Sequence, residues 1–473
     1  MPRERRGEEE EEQDVTEVAI KNAPPWLVSA VVHAILVIIL AFWVLSMGGE
    51  NTVSIDGEWA KEEGEQLEDD SFTNDVEEPE DFEDVVITEM QTVTDPFAAP
   101  TMLDAPVVDV GTTAVSNIKA PAIGMALNGR EPGMKKALLG KYGGSPGSEK
   151  AVQMGLEWLQ KVQDKHTGGW SLSKGYPDGS DRENSPAATA MALLAFQGAG
   201  HTHKKPGPFQ NTVAKGWEYL LKLQQPDGDF YDGEAPYTHH LYTHGQCSIA
   251  VCELYGMTKD PKFKQPAEKA IEFCISSQHR LGGWRYSPQG DSDTSVSGWI
   301  VMALQSARMA GLQVPPTTLD QVGRYLDKAG SAGGSQYGYQ NDTSSTETMT
   351  AEGLLMRQYL GWKQDDPRLL QGADFLLAGH LPNWGDRNVY YWYYATQVMH
   401  HLEGHRWEKW NSVMRDLLVN NQVKSGGDAG SWHPHKPQDK WGYEGGRLYV
   451  TCLSIYILEV YYPHMPLYSS IRF

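Results

Sequence analysis

The chain has 473 residues, with 62 acidic against 40 basic residues and a formal net charge of -22. Its length is enough for one large domain or two to three ordinary ones, and with only four cysteines it is not a small scaffold held together by disulfides. The acidic balance disfavours nucleic acid as a partner, because lysine and arginine supply most of the affinity for phosphate backbones.

Two acidic segments lie near the start of the chain. Residues 1–25 include the run EEEEE at 8–12, and residues 50–89 hold seventeen acids against the single base Lys61. Such runs repel themselves and contain too few apolar residues to offset the entropy lost on ordering. We therefore expect 1–25 to be a disordered acidic tail and 48–140 to be a disordered linker, first acidic and then rich in proline and alanine. The rest of the chain is close to neutral.

Residues 26–47 form a stretch without Asp, Glu, Lys or Arg, between a proline pair and a glycine pair. At about 1.5 Å per residue, a helix of this length crosses the roughly 30 Å hydrocarbon core of a bilayer. The alternative, a cleavable signal peptide, has a shorter apolar segment. Basic residues precede the stretch and only Lys61 follows it closely, which favours a cytoplasmic N-terminus. The pattern predicts a single-pass transmembrane helix in the cytoplasmic (inner) membrane, with the lipid bilayer as a partner and the rest of the chain extracytoplasmic.

Ser29 and His33 lie one helical turn apart on one face of this predicted span. Polar side chains in lipid are costly and normally face a partner. The S-x-x-x-H pattern resembles the membrane anchor of TonB-type energy transducers, and this resemblance implies that the pair contacts a proton-driven membrane motor complex. The alternative is a histidine that bonds within its own helix or to an unrelated partner.

From residue 141 to 473 one pattern recurs six times. An amphipathic helix ends in glutamine or an equivalent residue, a glycine-rich turn follows, an aromatic residue closes the turn, and a more uniformly apolar helix comes next. A unit of two helices cannot bury its apolar face alone and must stack on its neighbours. Six such hairpins can close into a ring, with the apolar helices as the inner wall. In the first three copies, the first helix and its turn cover residues 155–170, 216–230 and 270–284.

Three of the turns carry the residues of a known repeat. They read QDKHTGGW from Gln163, QQPDGDF from Gln224 and QHRLGGW from Gln278. These strings resemble the QW repeats of squalene-hopene cyclases and of protein prenyltransferase β-subunits. The resemblance covers about residues 145–465 and implies an all-α fold, an (α/α)6 toroid of six helical hairpins. The same toroid also serves non-catalytic domains, so the fold alone does not decide the function.

The resemblance also indicates where an acid would stand. Class II terpene cyclases protonate their substrate with an aspartate of a D-x-D-D-T motif, which is held neutral in a dry cavity. The nearest match is Asp291-Ser292-Asp293-Thr294, in which one carboxylate of the motif is missing. Asp291 and Asp293 are therefore the candidate catalytic acids of a degraded motif. The alternative is that Asp293 or Thr294 caps the helix that follows.

No metal and no cofactor are expected. Prenyltransferase β-subunits hold zinc with a D-x-C pair and a later histidine, but the corresponding positions are Ser295 and Val450. His240 and His244 are four residues apart and could chelate a metal from one helix face. Because no carboxylate accompanies them in sequence, histidines at the rim of a cavity are the more usual interpretation.

Five residues at or near the starts of the inner helices are candidate substrate-binding residues. Charged side chains there would lie at the mouth of the cavity and bind polar head groups, and Arg387 belongs to the same charged group. The aromatic run at 390–394 would place rings on the cavity wall, although core packing explains such a run equally well. The candidates are His244, Glu347, Tyr391, Glu444 and Arg447.

Two functions are compatible with these observations. The first is a membrane-anchored toroid that resembles squalene cyclases and prenyltransferases and binds or processes an isoprenoid or another apolar chain. Its enzymatic activity stays open because the catalytic motif is degraded. The second is a non-catalytic extracytoplasmic binding or scaffold domain carried on a TonB-like anchor.

Overall fold

The structure of the protein, a computed structural model, describes residues 129–463 and 467–468. The predicted tail 1–25, the stretch 26–47 with Ser29 and His33, and the predicted linker up to residue 128 lie outside the described residues. The predicted partners and location of the stretch 26–47 therefore remain predictions. The last part of the linker, residues 132–140, is helical and not disordered as predicted. Within the described ranges, no helix is both long enough and apolar enough to cross a bilayer.

The described residues form thirteen α-helices, of which twelve pair into six hairpins. Helix α1 (Pro132–Tyr142) precedes the first hairpin. The described part also holds two short antiparallel strands, β1 (Gly330–Ser331) and β2 (Gln336–Tyr337). The outer helices are α2 (Pro146–Val162), α4 (Gln210–Leu223), α6 (Pro261–Ser276), α8 (Pro316–Ala329), α10 (Pro367–Gly379) and α12 (Gly404–Asn421), and the inner helices are α3 (Ser185–Gly198), α5 (His240–Thr258), α7 (Thr294–Ala310), α9 (Glu347–Tyr359), α11 (Val389–Leu402) and α13 (Gly442–Glu459).

The six inner helices form a closed ring. Each packs against the next, and α13 packs against both α11 and α3. All residues of α3 from Pro186 to Gly198 are buried, because the helix is apolar all round. In α2, only a stripe that includes Ala151, Leu156 and Leu159 is buried, as its amphipathic pattern predicts. The predicted all-α toroid of six helical hairpins is confirmed.

A glutamine at the end of an outer helix ties each of four turns to the neighbouring hairpin. The Gln163 side-chain amide donates to the carbonyl oxygens of Gly168, at 2.7 Å, and of Thr212 in α4, at 2.9 Å. The Trp170 indole N–H returns to the Leu159 carbonyl at 2.8 Å. These bonds explain why glutamine, glycine and an aromatic residue recur together. The same pair of amide bonds is made by Gln224, Gln278 and Gln422.

The fourth of these glutamines joins the last hairpin to the first. The Gln422 amide donates to the Gly430 carbonyl at 2.9 Å and to the Ala151 carbonyl of α2 at 2.7 Å. Gly430 has a φ of 93° and lies directly against the carbonyl of Met154. The ring is therefore closed by the same contacts that join its internal repeats.

Candidate functional site

A cavity of about 560 Å³ lies where the N-terminal ends of the six inner helices converge. Every inner helix, or the residue just before it, contributes to the wall: Asn184 before α3, Gln246 in α5, Ser295 in α7, Thr348 in α9 and Tyr390 in α11, with Tyr449 in α13. Clefts of this size that combine aromatic rings with a few polar groups are typical of small-molecule sites. This cavity is the candidate functional site.

Aromatic residues joined by hydrogen bonds form one wall of the cavity. The Tyr242 hydroxyl donates to Ser295 Oγ at 2.9 Å, and the Tyr390 hydroxyl lies 2.7 Å from the same atom. The Trp299 indole N–H donates to the Tyr390 hydroxyl at 3.1 Å. The ring positions are therefore fixed before any ligand binds.

The polar groups of the wall differ in whether their hydrogen bonds are already made. Asn184 caps α3 by accepting from the Ala187 N–H and donates to Thr243 Oγ1 at 2.8 Å. Gln246 is 7% exposed, and its side-chain oxygen has no hydrogen-bond partner among the described residues. A buried acceptor without a partner costs about 1–3 kcal/mol. Gln246 lines the cavity and no hydrogen bond among the described residues holds its amide, so a turn of the side chain can present this oxygen to a ligand.

Exposed aromatic side chains lie in the cavity lining or next to it in sequence. Trp441 is 42% exposed and lines the cavity, and Tyr237 is 72% exposed and directly precedes the lining residue Thr238. Tyr443, two residues after Trp441, is 61% exposed and stacks on His435. Large rings held in solvent at a cavity entrance are typical of a binding surface.

Asp293 is a buried capping residue that reaches the cavity wall through a tyrosine. One carboxylate oxygen accepts from the Val296 N–H at 2.7 Å, which is the helix cap considered as the alternative to a catalytic role. The other accepts from the Tyr339 hydroxyl at 3.0 Å, and Tyr339 lines the cavity. Burial raises the pKa of Asp293 to about 6, against the opposing effect of these hydrogen bonds and of Arg285.

Asp291 lies on the solvent side of this arrangement and shares Arg285 with Asp293. Its carboxylate accepts from Arg285 at 2.9 Å and from the Gln340 amide at 2.9 Å, and its side chain is 38% exposed. The predicted pair of acids is thus divided: neither aspartate lines the cavity, but Asp293 contacts its wall and Asp291 faces solvent.

The other candidate residues occupy different places. Glu444 lines the cavity. Glu347 lies beside the lining residues and faces Lys440 across 3.9 Å. The Tyr391 hydroxyl donates to the His380 carbonyl, so this ring points away from the cavity while Tyr390 faces it. Arg447 is buried, donates to Ser431 Oγ and pairs with Asp178, which holds the loop before α3 against α13.

His244 and His240 share a carboxylate that the sequence pattern did not reveal. Asp229 lies 2.6 Å from His240 Nε2 and 3.2 Å from His244 Nδ1. Burial opposes the charge on His244, but Cys274 and Asp229 outweigh it and raise the pKa of His244 to about 10. Burial also opposes the charge on Asp229, yet hydrogen bonds from both histidines hold its pKa well below the usual range. In the part of the chain described, no group of three or more His, Cys, Asp or Glu side chains could hold a metal ion.

This cluster makes stability depend on pH. Between about pH 6.5 and 10 the folded chain keeps a proton on His244 that the unfolded chain has lost. The contribution of His244 to the free energy of unfolding therefore falls by at most about 1.4 kcal/mol per pH unit as the pH rises. The contribution of Asp229 is present above about pH 4 and is lost as the pH falls. We expect His244→Gln to flatten the decline in the free energy of unfolding between pH 7 and 9.5, measured by urea unfolding. His166→Gln, at an exposed histidine, should keep the wild-type slope, and equal slopes in all three proteins would contradict the assignment.

Several residues of the cavity wall are not among the candidates predicted from the sequence. Tyr242 and Gln246 are one turn apart at the start of α5, and Trp299 follows Ser295 by one turn in α7. This i, i+4 spacing near the N-terminus of an inner helix is the signal that could have found them. Tyr339 follows β2 in a glycine-containing turn, and only the folded chain brings it to Asp293.

Comparison with known proteins gives one family match. The family model of N-acylglucosamine 2-epimerase (GlcNAc 2-epimerase), an (α/α)6 toroid, matches residues 137–298. No curated protein sequence matches significantly. Among solved structures, an inactive variant of the alpha-1,6-mannanase GH76A of Salegentibacter sp. HEL1_6 is 12% identical, with a TM-score of 0.49 over 66% of this chain and 98% of that one. The type II terpene cyclase MstE from Scytonema is 12% identical, with a TM-score of 0.46 over 67% of this chain and 97% of that one.

These findings correct the prediction of a squalene cyclase-like single-pass membrane protein. The family model that matches is that of the GlcNAc 2-epimerases, not that of the squalene-hopene cyclases. No helix among residues 129–463 could cross a membrane, and the stretch 26–47 lies outside the described residues. The QW-type repeats predict the toroid fold but not its chemistry. Their hydrogen bonds hold the turns of the ring together, and a ring of this kind can carry different chemistries. The chain holds a catalytic or binding toroid domain.

Proposed function

We propose that the toroid binds a carbohydrate in its central cavity, with one sugar unit inside and a neighbouring unit on the exposed aromatic rim. The observation that carries this proposal is Gln246, whose buried side-chain oxygen has no partner on a wall that also presents aromatic rings. A sugar presents apolar C–H faces and O–H edges, so it suits a wall with both kinds of group.

The energetic comparison with an apolar chain supports a sugar. A hydroxyl that donates to Gln246 removes the cost of leaving its oxygen buried and unpaired. A hydrocarbon in the same place leaves that cost of about 1–3 kcal/mol in the bound state. Sites built to hydrogen-bond a hydroxyl discriminate strongly against analogues that lack one.

The family comparison is consistent with this ligand class. The matching model is named for an activity on N-acylglucosamine, and the matched residues 137–298 include Asn184, Gln246 and Ser295 on the cavity wall.

An isoprenoid or another apolar chain is the second candidate. It is favoured by one observation, the apolar side chains of Leu172, Ala187, Met191 and Met349 on the cavity wall. These side chains would contact a hydrocarbon without hydrogen bonds.

The two candidates can be distinguished by one substitution. The full chain is titrated with N-acetylglucosamine, alpha-1,6-mannotriose and farnesol in a calorimeter, as wild type and as Gln246→Leu. We expect Gln246→Leu to weaken sugar binding by about 5- to 100-fold, because it removes the hydrogen-bond acceptor, and to leave farnesol binding unchanged or tighter.

Gln225→Leu is the matched control, since Gln225 is an exposed glutamine in an outer turn. The Gln225→Leu variant should bind sugar with the affinity of the wild type. Binding of farnesol without binding of either sugar would overturn the carbohydrate proposal and support the apolar chain. The thermal melting temperature of each variant shows that a loss of affinity is not a loss of fold, and Gln246→Glu, which keeps an acceptor, should retain most of the sugar affinity.

A further inference from the structure

A continuous chain of hydroxyl groups connects the cavity to a buried carboxylate. The Tyr286 hydroxyl lies 2.6 Å from the Tyr339 hydroxyl, and the Tyr339 hydroxyl donates to Asp293 Oδ2 at 3.0 Å. Tyr286 and Tyr339 both line the cavity, whereas Asp293 is buried. The carboxylate is therefore separated from the cavity by Tyr339, and Tyr286 extends the chain of hydroxyl groups along the cavity wall.

The direction of the hydrogen bonds follows from counting hydrogens. A phenol has one O–H hydrogen, and Tyr339 uses its own to bond the Asp293 carboxylate. Tyr286 must then donate to Tyr339. The Tyr286 oxygen is left as an acceptor at the cavity end of the chain, so a hydroxyl of a bound ligand fits it as a donor.

The surroundings hold the chain in place. The Arg285 guanidinium lies over both rings, 4.8 Å from the Tyr286 centroid and 5.7 Å from the Tyr339 centroid. Its Nε also faces Asp293 Oδ2 at 3.5 Å. One cation thus fixes the two tyrosines and the carboxylate relative to each other.

Asp293 can take up or release a proton near neutral pH, because burial raises its pKa to about 6. Burial also raises the pKa of Tyr339, so the phenol between Asp293 and the cavity stays protonated at rest. The titratable and charged groups that act on Asp293 or on its hydrogen-bond partners are Arg285, Asp291, Tyr286, Tyr339, Tyr325 of α8, Glu352 of α9 and Tyr242 of α5.

We propose that Asp293 exchanges a proton with a ligand hydroxyl in the cavity through Tyr339 and Tyr286. The ligand O–H proton passes to the Tyr286 oxygen, the Tyr286 proton passes to Tyr339, and the Tyr339 proton passes to Asp293 Oδ2. Each phenol gives one proton and takes one, so the net change is a neutral Asp293 and a ligand alkoxide. The reverse sequence returns the proton, and no oxidant or other reactant is needed.

This inference rests on the proposed carbohydrate ligand and adds an acid–base function to it. Asp293 acts as the proton-accepting group without touching the ligand, and Tyr286 makes the contact. The predicted acid of the degraded motif would then act at a distance, through residues that the motif does not contain.

The test measures the protons released when a ligand binds. In the resting complex, before any proton is transferred, a ligand hydroxyl that donates to Tyr286 strengthens the hydrogen bonds along the chain and favours the charged form of Asp293, which is the form that can accept the proton. Binding should then release up to about 0.5 proton per ligand at pH 6 and close to none at pH 8. The release is obtained by calorimetric titration of the full chain with N-acetylglucosamine and alpha-1,6-mannotriose in buffers of different ionisation enthalpy.

Three variants and one control identify the group responsible. Asp293→Asn, Tyr339→Phe and Tyr286→Phe should bind sugar without releasing protons at pH 6. Tyr339→Phe keeps the Asp293 cap of α7, so it remains informative if Asp293→Asn does not fold. Asp374→Asn, at a surface aspartate paired with Arg406, should release protons as the wild type does.

The possible failures are distinguishable. Sugar binding by the wild type without proton release at pH 6 would overturn the relay and leave the carbohydrate proposal standing. Unchanged release in Tyr339→Phe would also overturn it. If neither sugar binds, both proposals fail.

Discussion

Gly430→Ala is expected to destabilise the toroid by about 2–5 kcal/mol. Gly430 has a φ of 93°, and a Cβ atom at this position would lie 2.0 Å from the Met154 carbonyl oxygen of the first outer helix. A left-handed backbone costs a residue with a Cβ about 1–2 kcal/mol, and overpacking against rigid backbone adds about 1–3 kcal/mol. The measurement is the free energy of unfolding from urea titration of the full chain, followed by circular dichroism.

The neighbouring Gly426 provides the matched control. It has a φ of 83°, but nothing lies within 4 Å of its added Cβ. Gly426→Ala should therefore show the backbone cost alone, about 1–2 kcal/mol. If the two alanine variants are equally stable, close contact between the last and first hairpins is not what closes the ring.

Arg387→Met is expected to cost about 3–5 kcal/mol and to weaken ligand binding. Arg387 and Asp439 form an ion pair at 3.4 Å in which neither side chain is exposed. Arg387 also donates to the carbonyls of His433 and Pro437, while Asp439 accepts from the backbone N–H groups of Val389 and Trp441. Removing Arg387 leaves the Asp439 carboxylate buried without its opposite charge. Trp441 lines the cavity, so losing the pair also releases part of its rim.

Burial disfavours the charged form of both Arg387 and Asp439. It raises the pKa of Asp439 and lowers the pKa of Arg387, so the low-polarity surroundings penalise each charge. The double variant Arg387→Met with Asp439→Leu should for that reason be more stable than Arg387→Met alone. Arg406→Met breaks a surface pair with Asp374 and should cost less than about 1 kcal/mol. An equal loss in Arg387→Met and Arg406→Met would contradict the importance of the buried pair.

The fold could be predicted because its determinants are local. Each glutamine, the glycine-rich turn and the aromatic residue lie within about ten residues, and Gln163 bonds Gly168 inside its own turn. The apolar inner helices and amphipathic outer helices also appear in sequence as two different patterns. The order of the hairpins around the ring follows from their order in the chain once neighbouring units stack.

The site could be predicted only in part, because its wall is assembled from all six hairpins. Asp293 was identified, but its contact with Tyr339 spans 46 residues of sequence. In the aromatic run of α11, one residue corresponds to about 100° of rotation, so Tyr390 faces the cavity and Tyr391 faces the outer layer. A run of five aromatic residues does not show which of them faces inward. The spacing of Gln246 from Tyr242 can suggest that it faces the cavity, but a sequence does not record that its oxygen lacks a partner.

The bond from Gln422 to Ala151 has a consequence for how the domain opens. An open stack of helix pairs has two end repeats with only one neighbour each, and such stacks fray from those ends. In this ring every hairpin has two neighbours, so no repeat is an end repeat and none needs a specialised capping surface. Releasing any single hairpin requires two interfaces to separate at once, which favours unfolding of the ring as one cooperative unit.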